Sequence, residues 1–71
     1  MNKEEFKIRM IRSNDTNKSL SKLLGISETT LTRKINENRS QFYRTEIERL
    51  KKYWNLTNEE VDLIFFKSTV S

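Results

Sequence analysis

The chain has no cysteine, no histidine, no proline and a single glycine among its 71 residues. Each absence removes a class of chemistry or architecture. Without cysteine there is no disulfide to staple a small fold, no thiolate nucleophile and no cysteine zinc site; a reducing compartment fits. Without histidine the commonest metal ligand and the usual general base near neutral pH are gone. No glycine-rich phosphate loop accompanies the serines and carboxylates, so no catalytic site, metal or cofactor is expected. No small-molecule ligand is evident either. No apolar run approaches the roughly 20 residues that cross a bilayer. The longest, Val61 to Phe66, is broken by Asp62. Glu4 and Glu5 precede any apolar region, unlike a signal peptide, so a soluble, intracellular chain with no membrane partner is expected.

What is present reads as helix. Nothing marks a domain boundary or a repeat, so residues 1–71 form one small domain, which buries only about 60% of its unfolded surface. Asn2 with Glu5, Thr45 with Glu48, and Thr57 with Glu60 each match a capping box. Thr16 and Ser27 are N-caps without the matching glutamate. Five starts predict five helices near 3–13, 17–24, 28–36, 46–54 and 58–66. The apolar spacing agrees: Phe6 and Met10 flanked by Ile8 or Ile11, then Ile47, Leu50 and Trp54 with Tyr53 beside them, then Val61, Ile64 and Phe65. Leu56 is expected to fill the last junction, and Phe42 to anchor the loop before the fourth helix. Asn36 or Asn38 can end the third helix in the left-handed conformation. The fold class is an all-α, compact five-helix bundle.

The most informative stretch runs from Thr16 to Leu31, two helical segments hinged at Gly25. Leu20, Leu23 and Leu24 make one apolar stripe on the first segment, Ile26 carries it through the turn, and Leu31 and Ile35 face inward from the second. That second segment is too short and polar to stand alone as a helix in water. It must lean on the first and present Glu28, Thr29, Thr32 and Arg33 outward. This is the layout of a helix-turn-helix formed by helices 2 and 3, whose second helix enters the major groove of DNA. Charge is distributed to match. Residues 1–40 hold nine basic and five acidic groups, a net +4, whereas residues 41–71 hold five of each.

On Leu24-Gly25-Ile26-Ser27 and Thr30-Leu31-Thr32-Arg33-Lys34-Ile35-Asn36, extended by Phe42, Ile47, Leu50 and Glu59 to Phe66, the chain resembles the lambda-repressor and Cro type of regulator. The likeness is nearest to small Cro-like or modulator-of-repression regulators from temperate phages of Gram-positive bacteria. It implies sequence-specific binding to a double-stranded DNA operator, frequent dimerisation and residence in the bacterial cytoplasm. It assigns base reading to Ser27, Glu28, Thr29, Thr32 and Arg33, with Arg33 the strongest because a guanidinium can grip guanine with two hydrogen bonds. It assigns phosphate contact to Asn17, Lys18, Lys34, Asn36, Asn38 and Arg39, with Tyr43 and Arg44 extending the backbone contact. Three positions depart from the family pattern: Ser21 replaces a small alanine, Lys34 an apolar residue, and Glu37 a common glycine.

Two readings follow. The first is a DNA-binding transcriptional regulator acting as a dimer, a homodimer or a heteromer with a partner repressor. The second is an antirepressor or co-repressor that pairs with a partner repressor through the same face and modulates its operator binding. Leu63, Phe65 and Phe66 are candidates for a protein interface, since a short helix cannot bury so many apolar side chains on one side.

Overall fold

In the computed structural model, residues 1–36 and 41–66 are described, and they are all-helical. Helix α1 spans Lys3–Arg12, α2 Asn17–Leu24, α3 Glu28–Ile35, α4 Arg44–Tyr53 and α5 Asn58–Val61, which runs directly into a π-helical stretch, Asp62–Phe66. Caps explain most starts. The Asn2 carboxamide accepts from the Glu5 N–H at 3.1 Å, and the Thr57 and Glu60 pair closes reciprocally at the head of α5. Thr16 finds its reciprocal partner in Ser19: the Ser19 N–H donates to the Thr16 hydroxyl at 3.1 Å while the Ser19 hydroxyl accepts from the Thr16 N–H at 2.9 Å.

Helix α4 begins two residues earlier than the Thr45–Glu48 pair predicts. Tyr43 is the N-cap and its N–H donates to Glu46 Oε1 at 2.8 Å. Glu46 wins because it is buried there and serves Lys34 as well, whereas Glu48 stays at the surface with Arg44. Helix ends also differ from expectation. Asn36 closes α3 with φ −86°, not left-handed, and Asn38 lies outside the described residues. The left-handed asparagines are Asn14 (φ 56°) after α1 and Asn55 (φ 54°) after α4. Each lets the next N–H reach back into the helix, Asp15 to the Met10 carbonyl and Leu56 to the Lys51 carbonyl, both at 2.8 Å.

The core gathers Phe6, Leu20, Leu24, Leu31, Ile35, Leu50, Trp54, Leu56, Val61, Ile64 and Phe65. Its centre is aromatic: the Phe6 ring lies 5.4 Å from Phe42, 5.3 Å from Trp54 and 6.0 Å from Phe65, the last two edge-on. Val61, Ile64 and Phe65, at i, i+3 and i+4, turn inward from the last helix, the latter two from its π-helical stretch. The Asn2 N–H ties the N-terminus to it through the Ile64 carbonyl at 2.7 Å. Phe65, expected at an interface, is therefore core at 8% exposure; Leu63 at 40% and Phe66 at 67% remain outside. Expectations for α1 and α4 also need correcting. Ile11 is 78% exposed and Ile8 is exposed, so neither is a core flank, and Tyr53 lies at the surface while Trp54 is buried. No helix among the described residues is long and apolar enough to cross a membrane.

Candidate functional site

Helices α2 and α3, eight residues each, are joined by Gly25-Ile26-Ser27. Gly25 adopts φ 70°, ψ 32°, the left-handed conformation that ends α2 and reverses the chain. A Cβ placed there would meet nothing within 4 Å. Glycine is thus required by backbone torsion alone. Past the turn, the Ile26 N–H donates to the Ser21 carbonyl at 3.0 Å. Ser21 is buried where α2 meets its neighbours, and its hydroxyl donates to the Lys18 carbonyl at 2.9 Å, so the departure from alanine leaves no polar atom unsatisfied.

On α3, Leu31, Lys34 and Ile35 are buried while Glu28, Thr29, Thr32 and Arg33 are exposed. Four of the five expected base readers therefore share one outward stripe of the helix. Their chemistry is not equally available. Ser27 is exposed but spent on its cap: its oxygen accepts from the Thr30 N–H at 3.1 Å and donates to the Thr30 hydroxyl at 2.9 Å. The Thr32 hydroxyl donates to the Glu28 carbonyl at 3.0 Å and accepts from the Asn17 carboxamide at 3.5 Å, leaving its methyl group as the free surface. That bridge ties the start of α2 to the middle of α3. Glu28, Thr29 and Arg33 have no side-chain partner among the described residues.

Lys34, expected on phosphate, is only 4% exposed. Its ammonium donates to Glu46 Oε1 at 3.0 Å and to the Gln41 carbonyl at 2.8 Å, and sits 4.1 Å from the centre of the Tyr43 ring. A lysine so neutralised cannot reach an external anion. Its stem supplies apolar bulk at an inward-facing position, and Glu46 is the inward charge that sequence reasoning missed. Asn17, Lys18 and Asn36 are exposed as expected; Asn38, Arg39 and Glu37 lie outside the described residues. Tyr43 covers Lys34 and Arg44 pairs with Glu48 at 3.4 Å, so neither side chain is uncommitted.

The remaining cations divide in two. Arg9 pairs with Glu60 across α1 and α5, and Lys34 and Arg44 are paired as above. Lys3, Lys7, Arg12, Lys18, Lys22, Arg33, Arg49 and Lys52 are exposed with no ion-pair partner among the described residues. Six of these eight sit on the first three helices and two on α4. Between these helices a groove of about 330 Å³ is lined by Met10, Ile11, Ile35, Lys7, Asn17, Thr32, Asn36 and Asp15.

Asp15 is the second residue that the sequence did not flag. Its carboxylate collects donors from two distant elements: Oδ1 accepts from the Ser19 and Tyr53 hydroxyls, each at 2.8 Å, and Oδ2 from Trp54 Nε1 at 2.9 Å. It thus pins the head of α2 to the end of α4. Burial by itself would raise the Asp15 pKa, but the hydrogen bonds from Trp54, Ser19 and Tyr53 outweigh it and hold the pKa below the ordinary 3.8. A lowered folded-state pKa means the unfolded chain takes up the proton first, so the stabilisation is complete above about pH 4 and fades as pH falls through the folded value. Urea melts of the wild type and Asp15→Asn are therefore expected to differ most near pH 7 and to approach one another as the pH falls below the ordinary carboxylate range. A gap that stays constant over that range would remove Asp15 from this role. Glu60, lowered by the Thr57 N–H and by Arg9, acts in the same window but is present in both proteins.

No protein-family model, no curated protein and no solved structure matches the chain.

Proposed function

We propose that the chain is a DNA-binding transcriptional regulator in which α2 and α3 act as a helix-turn-helix and α3 enters the major groove. The carrying observation is the exposed stripe of Glu28, Thr29, Thr32 and Arg33 on a short helix set off by left-handed Gly25, beside cations that no carboxylate neutralises. The resemblance to Cro-type regulators supports the same reading, as does the concentration of net positive charge in the first 40 residues. Arg33 reads a guanine, Thr29 and the Thr32 methyl touch base edges, and Glu28 complements the positive end of the α3 dipole. Lys18 and the free N–H groups at the head of α2 hold phosphate. A homodimer places two α3 helices about 34 Å apart on successive major-groove faces of an operator. The chain acts by binding and not as an enzyme.

Fluorescence anisotropy with labelled duplexes tests the roles. Arg33→Ala is expected to cost about 1–3 kcal/mol on the preferred sequence and little on random DNA. Lys18→Ala is expected to weaken both alike and to reduce the slope of log K against log salt by about one. Equal losses from both variants on both duplexes would remove the division into reader and anchor.

A second reading is favoured by one observation. Ile11, 78% exposed, stands beside the polar face where a phosphate backbone gives it nothing to do. In that reading the chain binds a partner repressor through this region and modulates its operator binding. Tight repressor binding without detectable binding to random duplex at low salt would favour it over the first.

A further inference from the structure

Thr32 stands on the outward stripe of α3, yet its hydroxyl is committed on both sides. The O–H donates to the Glu28 carbonyl one turn back at 3.0 Å, and the oxygen accepts from the Asn17 carboxamide at 3.5 Å. The backward bond restricts the rotamer, because a threonine hydroxyl reaches the carbonyl four residues earlier only at a suitable χ1. With χ1 set, the direction of the Cγ2 methyl is set too. The neighbours on the stripe differ. Thr29, Glu28 and Arg33 carry polar groups that no side chain among the described residues engages, so they can exchange hydrogen bonds with a ligand. Thr32 offers carbon alone. A base edge in the major groove displays one apolar substituent, the methyl on C5 of thymine, among donors and acceptors.

We propose that Thr32 is a methyl reader, its Cγ2 packing against the C5 methyl of a pyrimidine. At the base it faces, α3 then prefers thymine to unmethylated cytosine. 5-Methylcytosine carries the same group at the same ring position, so the contact also senses cytosine methylation. The inference rests on the DNA-binding reading and sharpens it: Thr32 contributes shape and not hydrogen bonding. A polar contact from the same residue would first have to leave the Glu28 carbonyl.

Selection of bound duplexes from a randomised pool by the full chain supplies the preferred sequence. Each thymine in it is then exchanged singly for deoxyuridine, which deletes the methyl and leaves pairing intact. Anisotropy titrations are expected to find at least one thymine where the exchange weakens the wild type about fourfold, the effect of withdrawing one methyl-sized apolar group from contact. At that position Thr32→Ser, which keeps the hydroxyl and deletes the methyl, is expected to bind thymine and deoxyuridine duplexes alike. Thr32→Val, which deletes the hydroxyl and keeps a methyl, is expected to retain the preference. Placing cytosine there and then methylating its C5 is expected to strengthen wild-type binding by a similar factor and to leave Thr32→Ser unmoved. Thr32 is exposed, and matched thermal melts verify both variants. The base analogues alter the DNA alone, so the wild-type result stands even where a variant melts early.

A preference kept by Thr32→Ser and lost by Thr32→Val would give the reading to the hydroxyl and overturn the proposal. So would tolerance of deoxyuridine at every thymine, or penalties that ignore both substitutions. A duplex bound tightly but indifferent to the methyl sinks the methyl contact and spares the DNA-binding reading. Failure to enrich or bind any duplex at low salt sinks both.

Discussion

Glu46→Ala is expected to unfold a large share of the protein at room temperature. Removing one partner of a buried ion pair costs about 3–5 kcal/mol, because the remaining charge keeps its desolvation penalty without its counterion. Both partners are buried here, and Lys34 would retain only the Gln41 carbonyl and the face of Tyr43. The Tyr43 N–H at the head of α4 would lose its acceptor as well. A chain of this length has roughly 4–11 kcal/mol of stability in total, from about 0.05–0.15 kcal/mol per residue. The double variant Lys34→Met, Glu46→Leu removes both charges and keeps the volume, so it is expected to recover most of the loss. Urea denaturation read by Trp54 emission decides it. A single variant within about 1 kcal/mol of wild type would show that the pair is not buried as described. The result bears on function too. Lys34→Ala would lower binding to every duplex alike, the signature of a lost phosphate contact, while its real cause was partial unfolding. Only a binding assay paired with a melt separates the two.

That confusion marks where sequence reasoning reached its limit. Periodicity placed Leu20, Leu24, Leu31 and Ile35 inward and Thr29 and Arg33 outward, since a helix of fixed pitch converts spacing directly into direction. Gly25 was legible because φ 70° is a backbone demand that one residue type meets freely. Lys34 was not. Its position follows the same spacing as the buried face, but a lysine reads as solvent-facing unless its counterion is known. Glu46 lies twelve residues away in another helix, and no local pattern joins them. Asp15 failed for the same reason, with its Tyr53 and Trp54 donors 38 and 39 residues along the chain. The misplaced start of α4 had a different origin. Two overlapping acidic positions, Glu46 and Glu48, each offered a capping partner, and tertiary burial chose between them. Phe65 shares the i, i+3, i+4 stripe of Val61 and Ile64 that spacing placed inward; it was offered for an interface only because so many apolar side chains crowd one short helix, and the bundle buries it while leaving Leu63 and Phe66 outside.

Phe6→Ala is expected to be the most damaging single truncation in α1. The side chain is fully buried, and its ring contacts Phe42, Trp54 and Phe65, so it joins α1, the segment before α4, α4 itself and the last helix. Emptying such a site costs about 3–5 kcal/mol from lost transfer energy and the cavity left behind. Each favourable ring pair adds roughly 0.5–1.5 kcal/mol beyond burial, so the upper part of that range is expected. Phe6→Leu keeps most of the volume but none of the ring pairing, so its loss relative to wild type reports the aromatic contribution, and the gap between the two variants reports the cavity. Ile11→Ala is the control on the same helix: at 78% exposure it is expected to stay within about 0.5 kcal/mol of wild type. Thermal melts on all three would show the contrast. None of the rings around Phe6 belongs to α2 or α3, yet the surface those helices present depends on it. The α2 head is pinned through Asp15 to Trp54, and Trp54 packs edge-on against Phe6. Loss of Phe6 is therefore expected to release the α2–α3 pair along with the core, with duplex binding and Trp54 emission lost over a single urea transition. Separate transitions would show that the pair holds its shape without this aromatic centre.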